Sequence, residues 1–419
     1  MSMLILEGVN VFDPATKKRR TNVNVCISQG KISAIGDVPV SFANARRMHL
    51  PGRTVLPGFI DLHVHVVASH TNLGANALMP NFLAALKTLP ILRGMLNRGF
   101  TTVRDAGGAD FGMCEAVNSG VLPGPRILSS GKALSQTGGH GDFRQRNDRL
   151  DDACGCLGRQ GAIARVVDGV DAMRLAVREE ILKGASQIKI MASGGVASPN
   201  DPISNTQYSE EEIRAAVQEA EAAGTYVMAH AYTSRAIRRA VECGVKCIEH
   251  GNLIDEETAR LLAKRGVAVV PTLATLERLM EQGSALGFPA ESLAKIDGAR
   301  SVGRQALALM AREGVTVGFG SDMLGELHAF QSDEFAVRAE ILGNVEAIRS
   351  ATCVAAEITR EAGLRGTVSV GAIADLVVID GDPVEDISLL LGQGEHIPVV
   401  IKAGVCVKEA GRLLEVVTE

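Results

Sequence analysis

The feature that most constrains the fold is an alternation of short apolar runs with helical patterns between Phe59 and Gly366. We count eight such runs: FIDLHVH, TTVRDAG, RILSSG, QIKIMAS, YVMAHA, CIEHGN, AVVPTL and VTVGFGSD. Helical patterns such as EEIRAAVQEAEAAG, DEETARLLAKRG and ARSVGRQALALMAREG lie between most of them and end in glycine, as helix C-termini often do. Strands alternating with helices predict parallel pairing, and eight repeats predict an α/β fold closed into a (β/α)8 TIM barrel.

The structural alternative is an open, doubly wound sheet. Such sheets typically carry a glycine-rich phosphate loop after the first strand, whereas the first strand here ends in His-Val-His. Both ends of the chain differ from the middle, because they consist of β-branched runs separated by turns that contain Gly, Pro or Asp. We therefore predict a small β-sandwich domain formed by residues 1–56 and 367–419 and a barrel domain formed by residues 57–366.

Composition excludes several classes of function. The formal net charge of the 419 residues is -5, so neither a basic surface for nucleic acid nor a polybasic membrane segment is expected. The N-terminus lacks the basic region of a secretory signal, and no apolar run approaches the ~18 residues of a membrane span. Eight scattered cysteines favour reduced thiols and a cytoplasmic location. Cys154 and Cys156 form a close pair that is either a loop with free thiols or a structural zinc site.

The placement of the histidines carries the main functional signal. His63 and His65 end the first predicted strand, and period-two geometry puts both side chains on one face. His230 ends the fifth strand, His250 the sixth, and Asp322 the eighth. Alone, a histidine at a strand end is more often a hydrogen-bonded rim residue, and an Asp after Gly-Ser is more often a turn or helix cap. Together at four strand ends of a barrel, these side chains converge at one mouth and predict a metal site.

Lys189, in the fourth predicted strand, belongs to the same mouth. A plain ammonium group is a poor neighbour for divalent cations, because like charges repel and burial penalises the charged form. One interpretation pairs Lys189 with Asp322 in a site without metal. The other, which we favour, is a lysine carbamylated by CO2, whose anionic group can bridge two metal ions.

These residues lie in motifs that resemble a known group of enzymes. PGFIDLHVH, QIKIMASGG, MAHAY, IEHGN and GFGSD resemble the amidohydrolase superfamily, in its binuclear class with a carbamylated lysine. The resemblance covers nearly the whole chain, including VLPGFID and the late strand ADLVVID. More narrowly, LSQTGGHGD, ASGGVASP and HAYT resemble bacterial prolidase-like Xaa-Pro dipeptidases. Related members cleave other dipeptides or N-acyl amino acids, including mycotoxin amides.

The resemblance implies a role for each candidate residue. His63 and His65 match the ligands of the first metal ion, and His230 and His250 those of the second. Carbamylated Lys189 matches the bridge between the ions, and Asp322 matches a ligand of the first ion that also shuttles protons. The implied reaction is hydrolysis of an amide or peptide bond, most readily of an Xaa-Pro dipeptide, by a metal-bridging hydroxide. Zinc is the expected ion, because imidazole ligands suit it.

Further residues are candidates for contact with the substrate. Tyr232 resembles a family tyrosine that hydrogen-bonds the tetrahedral oxyanion; otherwise it is a packed rim aromatic. His140 lies in a glycine-rich loop that permits close approach to a ligand; otherwise it is a solvated loop residue. The candidate cations for a substrate carboxylate are Arg144, Lys132 and Arg104. The candidates for lining the pocket are His328, Gln331 and His70. We expect a small-molecule substrate, a homo-oligomer, and no nucleic-acid or membrane partner.

Three other functions remain open. The first is hydrolysis of N-acyl or N-aroyl amino acids, including mycotoxin-type amides, by the same machinery. The second is a mononuclear deaminase or imidazolonepropionase-like cyclic amide hydrolase, against which Lys189 counts because those enzymes lack the bridging lysine. The third is a non-catalytic scaffold, as some dihydropyrimidinase relatives are. Those relatives tend to lose metal ligands, whereas all six matching positions are kept here.

Overall fold

The first five strands of the described chain do not belong to the barrel. We describe a computed structural model, which covers residues 3–144, 158–196, 198, 201–288 and 290–414. The first strands are β1 Leu4–Asp13, β2 Lys18–Ser28, β3 Lys31–Gly36, β4 Arg46–His49 and β5 Thr54–Pro57. The strands of the central region are β6 Phe59–Val64, β7 Phe100–Asp105, β8 Arg126–Ser129, β9 Ala133–Ser135, β10 Ala164–Val166, β11 Ile188–Met191, β12 Val227–Thr233, β13 Cys247–Leu253 and β14 Ala268–Val270.

Helices follow the central strands, and a final group of strands ends the described chain. The helices are α1 Leu73–Ala77, α2 Asn81–Asn97, α3 Phe111–Asn118, α4 Val170–Leu182, α5 Glu210–Ala222, α6 Ser234–Glu242, α7 Glu256–Arg265, α8 Leu273–Gln282, α9 Ala290–Arg312, α10 Asp333–Leu342, α11 Asn344–Ser350 and α12 Cys353–Ile358. The last strands are β15 Leu376–Ile379, β16 Val399–Lys402, β17 Val405–Glu409 and β18 Arg412–Leu413. None of the helices in the described residues is long and apolar enough to cross a lipid bilayer.

The central strands form the predicted (β/α)8 barrel. Strands β6, β7 and β8 pair in parallel, as do β9, β11, β12, β13 and β14. β8 and β9 are successive parts of the third barrel strand, which connects the two groups. The residues after Val315 close the ring: the amide of Gly318 donates to the Val269 carbonyl at 2.9 Å, and that of Leu62 donates to the Phe319 carbonyl at 2.8 Å.

The eighth barrel segment departs from the sequence prediction. VTVGFGSD was expected to form a strand, but the structure has only one isolated β-bridge here, between Val269 and Val317. Glycine explains the close, irregular packing, because a Cβ at Gly318 would lie 2.4 Å from Leu62 Cδ1. A Cβ at Gly320 would lie 2.9 Å from the Cβ of His63. The segment therefore lies tightly against the strand that carries His63.

Both chain ends join one sandwich-like sheet, as predicted. Its strand order is β18-β17-β16-β15-β5-β1-β2-β3, and β4 also pairs with β1. Strand β1 branches the sheet, since its first half pairs with β4 and its second half with β5. Antiparallel pairing of β15 with β5 links the two ends of the chain, with Val377 opposite Leu56. The sheet thus holds the beginning of the first barrel strand in place.

Candidate active site

His63 lies near the end of strand β6 and His65 directly follows the strand, and both side chains are buried on the inner face of the barrel. Each ring is held at Nδ1: that of His63 lies 2.6 Å from a Glu249 carboxylate oxygen, and that of His65 lies 2.8 Å from the Gly107 carbonyl. Their Nε2 atoms lie 3.6 and 3.7 Å, respectively, from Oδ1 of Asp322. The two rings therefore turn their second nitrogen toward a common point at the barrel mouth.

His230 and His250 approach the same point from strands β12 and β13. Their ring centroids are 4.6 Å apart, and the centroid of His63 lies 4.9 Å from that of His250. His250 Nδ1 lies 2.8 Å from the Thr272 hydroxyl, and His230 Nε2 lies 3.2 Å from the Gly194 carbonyl. The structure thus brings together four histidines from three strands.

His250 and Asp322 share an unusual backbone conformation. Their φ angles are 72° and 50°, in the left-handed region that side chains other than glycine rarely adopt. Residues in this region often mark functional sites, where the surrounding structure maintains the strain. For Asp322, one constraint is the hydrogen bond from its amide to the His63 carbonyl at 2.8 Å. Another is the Thr275 hydroxyl, which donates to the Asp322 carbonyl at 3.0 Å.

Lys189 lies in the middle of strand β11, and its side chain is almost fully buried against the same cavity. Within the described residues, no carboxylate lies within ion-pairing distance of its Nζ atom. Burial lowers the pKa of the Lys189 amine, although Glu249 and Asp322 partly oppose this effect. The pairing of Lys189 with Asp322, considered above, is therefore not a direct ion pair.

Burial also sets the protonation of the other groups. It lowers the pKa of His65 to about 3 and those of His63, His230 and His250 well below the usual value. Burial raises the pKa of Asp322 to about 7, against the opposing effect of nearby Lys189. The four imidazoles are thus neutral at pH 7, which is the form that coordinates metal ions.

The donor set at the mouth fits a metal ion. Ligand atoms of His63, His250 and Asp322 all lie within 4.8 Å of one another. Neutral imidazole nitrogens combined with a carboxylate are ligands typical of zinc and other divalent transition metals. A His/His/Asp group able to hold an ion therefore exists where the sequence predicted a metal site.

His140 and Tyr232 border the same cavity. The His140 ring stacks on His230 with centroids 4.2 Å apart, and the Tyr232 ring stacks on His250 at 5.0 Å. Gly195 permits the position of His140, because a Cβ there would lie 2.2 Å from the His140 ring. Burial lowers the pKa of His140 to about 3 and raises the pKa of the Tyr232 phenol. Tyr232 therefore keeps its hydroxyl proton and can donate a hydrogen bond.

Apolar side chains surround these polar groups. They come from helix α1, from the loop between β9 and β10, from strand β11 and the loop that follows it, and from the segment after Asp322. The set comprises Leu73, Phe143, Ile163, Met191, Val196 and Leu324. These apolar residues form the wall of the cavity, and the histidines, Lys189, Tyr232 and Asp322 form its polar floor. This combination is the usual composition of a small-molecule site.

The three candidate cations for a substrate carboxylate do not line this cavity in the described residues. Arg104 lies fully buried beneath the histidines and donates to Glu249 at 2.8 Å. Lys132 faces a separate cavity, where its Nζ donates to the carbonyls of Arg159 and Ala162. Arg144 pairs with Asp142, next to Phe143 of the wall. The prediction was wrong for Arg104 and Lys132, because hydrogen bonds to distant residues, invisible in sequence, turn both away.

The predicted lining residues also lie elsewhere. His328 bonds the Ala68 carbonyl at 3.0 Å, and the Gln331 amide donates to Asp61 at 2.8 Å. His70 accepts a hydrogen bond from the Asn72 amide at 2.9 Å. None of the three is among the described residues that line the cavity. Cys154 and Cys156 lie outside the described residues.

Sequence reasoning missed Glu249, which contacts His63. Strict strand alternation places Glu249 and its neighbour His250 on opposite faces. The left-handed backbone at His250 breaks this alternation, so both side chains face the barrel interior. The available signal was the acidic residue itself, because a carboxylate within an otherwise apolar strand needs a buried partner.

Comparisons with known proteins agree with this geometry. The model of the Amidohydrolase family matches residues 54–407. The ochratoxinase of Aspergillus niger is 31% identical over 387 residues, which cover 88% of this chain and 79% of that protein. A prolidase solved with N-methylphosphonate-L-proline is 58% identical, with a TM-score of 0.95 over 97% of this chain and 100% of that one.

A third relative is a Xaa-Pro dipeptidase solved with methionine in its active site. It is 29% identical, with a TM-score of 0.85 over 97% of this chain and 100% of that one. The family match spans the barrel and the part of the terminal sheet formed by β5, β15, β16 and the start of β17, and it includes all six residues gathered at the mouth. The chain therefore belongs to the amidohydrolase family and is a hydrolytic enzyme.

Proposed function

We propose that this enzyme hydrolyses the peptide bond of Xaa-Pro dipeptides with the help of two zinc ions. The observation that carries the substrate assignment is the likeness, at 58% identity over nearly the whole chain, to a prolidase solved with a proline phosphonate. The polar floor and apolar wall of the cavity support it, because a dipeptide presents both charged ends and an apolar prolyl ring.

Each candidate ligand has a place in this proposal. His63, His65 and Asp322 would hold one ion, and His230 and His250 the other. Lys189, as a carbamate, would contact both. Divalent ions, when bound, act as Lewis acids and make water acidic enough to serve as a nucleophile near neutral pH.

Carbamylation of Lys189 is consistent with its surroundings. The neutral amine attacks CO2, so that an N–C bond forms as one C=O π bond breaks, and the nitrogen loses one proton to solvent, which leaves the side chain as an anion. Burial favours the neutral, nucleophilic form of the amine. The resulting carboxylate-like group would supply the negative charge that the described carboxylates do not bring within ion-pairing distance of Nζ.

Asp322 is the proposed proton carrier. Its Oδ1 atom lies close to the Nε2 atoms of both His63 and His65, at the centre of the polar floor. A carboxylate there can accept the proton of the attacking nucleophile and deliver it to the prolyl nitrogen. The amine must leave protonated, because an amide anion is too basic to depart.

Tyr232 and His140 are the proposed contacts for the scissile carbonyl. The Tyr232 hydroxyl keeps its proton and can donate to the oxygen on which negative charge develops. The ring of His140 stacks on His230, so His140 borders the same region from the loop after β9. Donors that are fixed before the reaction stabilise the developing oxyanion without reorganisation.

Hydrolysis of N-acyl or N-aroyl amino acids is the second candidate. The likeness to the Aspergillus niger ochratoxinase favours it, since the polar floor serves any secondary or tertiary amide. The apolar wall residues Leu73, Phe143 and Leu324 would then contact an aromatic acyl group rather than a prolyl ring.

Less favoured are a mononuclear deaminase or cyclic amide hydrolase and a scaffold without activity. Lys189 has no role in a mononuclear site, and a scaffold needs none of the six converging residues. A metal content near one ion per chain would favour the first, and a protein without metal or activity would favour the second.

We further propose a cytoplasmic homo-oligomer in which residues 1–56 and 367–419 form one domain and residues 57–366 the other. The scattered cysteines support the location. Light scattering coupled to gel filtration tests the oligomeric state.

A panel of Xaa-Pro dipeptides and N-acyl amino acids, assayed with zinc-loaded enzyme, tests the substrate assignment. We expect kcat/KM to be highest for Xaa-Pro dipeptides. Turnover restricted to N-acyl amino acids would replace the first substrate class by the second. No turnover of any amide by metal-loaded enzyme would contradict the reaction itself.

A further inference from the structure

A charged pair lies inside the barrel beneath the candidate metal site. Arg104 on strand β7 and Glu249 on strand β13 are both fully buried. Barrel interiors are normally filled by branched aliphatic side chains, and moving two charges out of water is costly even when they pair. The pair therefore calls for an explanation beyond filling space.

The contacts of Glu249 join three barrel strands. One carboxylate oxygen accepts from Arg104 at 2.8 Å, and the other lies 2.6 Å from Nδ1 of His63. Arg104 also donates through Nε to the carbonyl of Leu62, at 2.7 Å. Leu62 directly precedes His63, so the guanidinium holds both the backbone of that strand and the carboxylate that contacts its histidine. The result is a closed ring of contacts around His63.

The carboxylate contact determines how His63 presents its second nitrogen. An ionised carboxylate only accepts hydrogen bonds, so His63 must carry its proton on Nδ1. Its Nε2 then keeps a free lone pair, which faces Asp322. The partner of His250 is the Thr272 hydroxyl, which can donate or accept and so fixes no tautomer. Of the four histidines, only His63 has an anionic partner at Nδ1 within the described part of the chain.

We infer that Glu249 is a positioning residue for metal binding, and that Arg104 holds it in place. Glu249 fixes the ring and tautomer of His63 so that Nε2 is presented to an ion at the barrel mouth. Groups that accept a hydrogen bond from the second nitrogen of a ligating histidine raise its basicity and fix its orientation. The inference rests on the proposed function, because it assigns His63 to an ion.

Glu249→Gln removes this arrangement while keeping the size of the side chain. The amide offers one oxygen and one NH2 group in place of two acceptors. If the amide oxygen faces His63, the NH2 group opposes the guanidinium of Arg104. If the amide oxygen faces Arg104 instead, the hydrogen bond from His63 is lost. Either way the ring of contacts around His63 is broken.

The chain offers a matched control in a second buried pair. Glu334 accepts from Arg338 at 2.8 Å, and both side chains are fully buried. Glu334 otherwise accepts from the backbone amides of Leu273 and Ala274, at 2.9 and 2.7 Å. Glu334→Gln therefore disrupts a comparable ion pair that does not contact any of the four histidines.

The experiment measures binding of Co2+ to enzyme stripped of metal, in bicarbonate buffer, from the visible absorption of the bound ion. Wild type should bind Co2+. In Glu249→Gln, the Kd of the more tightly bound Co2+ ion should rise by about 10- to 100-fold, and the absorption spectrum should change. Glu334→Gln should keep the affinity and spectrum of wild type, even if its melting temperature falls. An unchanged affinity and spectrum in Glu249→Gln, or an equal loss in both variants, would overturn the inference.

Failure of the proposed function is distinguishable, because a wrong substrate class leaves Co2+ binding unchanged and shows only in the substrate panel, whereas a site that holds no metal leaves wild type itself without bound Co2+. Should Glu249→Gln fail to fold, Glu249→Asp supplies the same test. It keeps the charge opposite Arg104 but withdraws the carboxylate from His63 by one methylene. We expect the same weakening of Co2+ binding, and wild-type affinity in that variant would overturn the inference.

Discussion

Asp322 is joined to His63 through both backbone and side chain. Its amide donates to the His63 carbonyl at 2.8 Å, and its Oδ1 lies 3.6 Å from His63 Nε2. This relationship connects the eighth barrel segment to the first strand at the point where the barrel closes. The carboxylate is thereby held next to the nitrogen that would bind an ion, and the account of catalysis depends on this placement.

Asp322→Asn should lower kcat by about 100- to 10,000-fold, the usual range for loss of a general acid–base group. An amide has a similar size but cannot accept and return a proton. The measurement is steady-state kinetics on an Xaa-Pro dipeptide at saturating zinc. Asp333→Asn is the control, because Asp333 pairs with Arg278 outside the cavity. Near-wild-type kcat in Asp322→Asn would refute its role as proton carrier.

Tyr232→Phe should reduce kcat by about 100- to 1000-fold, as expected for loss of one oxyanion donor. Phenylalanine keeps the ring that stacks on His250, so metal content should be unchanged. Kinetics combined with elemental analysis separates the two effects. Full activity would exclude the phenol from oxyanion stabilisation, and loss of metal would instead indicate a structural role.

Removal of metal should abolish activity and lower the melting temperature. An ion that binds only the folded state stabilises it by about 2.7 kcal/mol when its concentration is 100-fold above Kd. Dialysis against a chelator, followed by calorimetry and assay with and without added zinc, measures both effects. Activity that survives complete removal of metal would contradict the proposed chemistry.

Gly320→Ala should destabilise the fold by about 1–3 kcal/mol, the usual cost of overpacking. The added Cβ would lie 2.4 Å from Val270 Cγ1 and 2.9 Å from the His63 Cβ, so the barrel seam must shift. Gly298→Ala in helix α9 is the control, because a Cβ there meets nothing within 4 Å. Alanine should stabilise that helix by up to about 1 kcal/mol. Equal stability of the two variants in urea would contradict the close packing at Gly320.

The sequence predicted those parts of the fold and site that depend on local patterns. The alternation of strands and helices indicated the barrel. The carboxyl ends of barrel strands meet at one mouth, and this rule predicted that His63, His230, His250 and Asp322 lie together. Period-two geometry correctly put His63 and His65 on one face, since the Nε2 atoms of both rings lie near Oδ1 of Asp322.

What the sequence did not reveal depends on long-range contacts and irregular backbone. Arg104 points into the barrel because it donates to Glu249, which lies far away in the chain. Strand alternation placed Glu249 on the face opposite to that of His250. The left-handed conformation of His250 causes that error, and no local pattern announces it. The eighth strand was predicted from its apolar residues, but Gly318 and Gly320 allow close packing in place of regular pairing.

The bridging role of Lys189 is tested by comparing the metal content of wild type and Lys189→Ala after reconstitution with zinc and bicarbonate. Lys264→Ala, on an exposed helix end, is the control. We predict two zinc ions per chain in wild type and in the control, and loss of zinc together with activity in Lys189→Ala. Two ions and full activity in Lys189→Ala would contradict the bridging role, because the carbamate would then have no part in holding the metal.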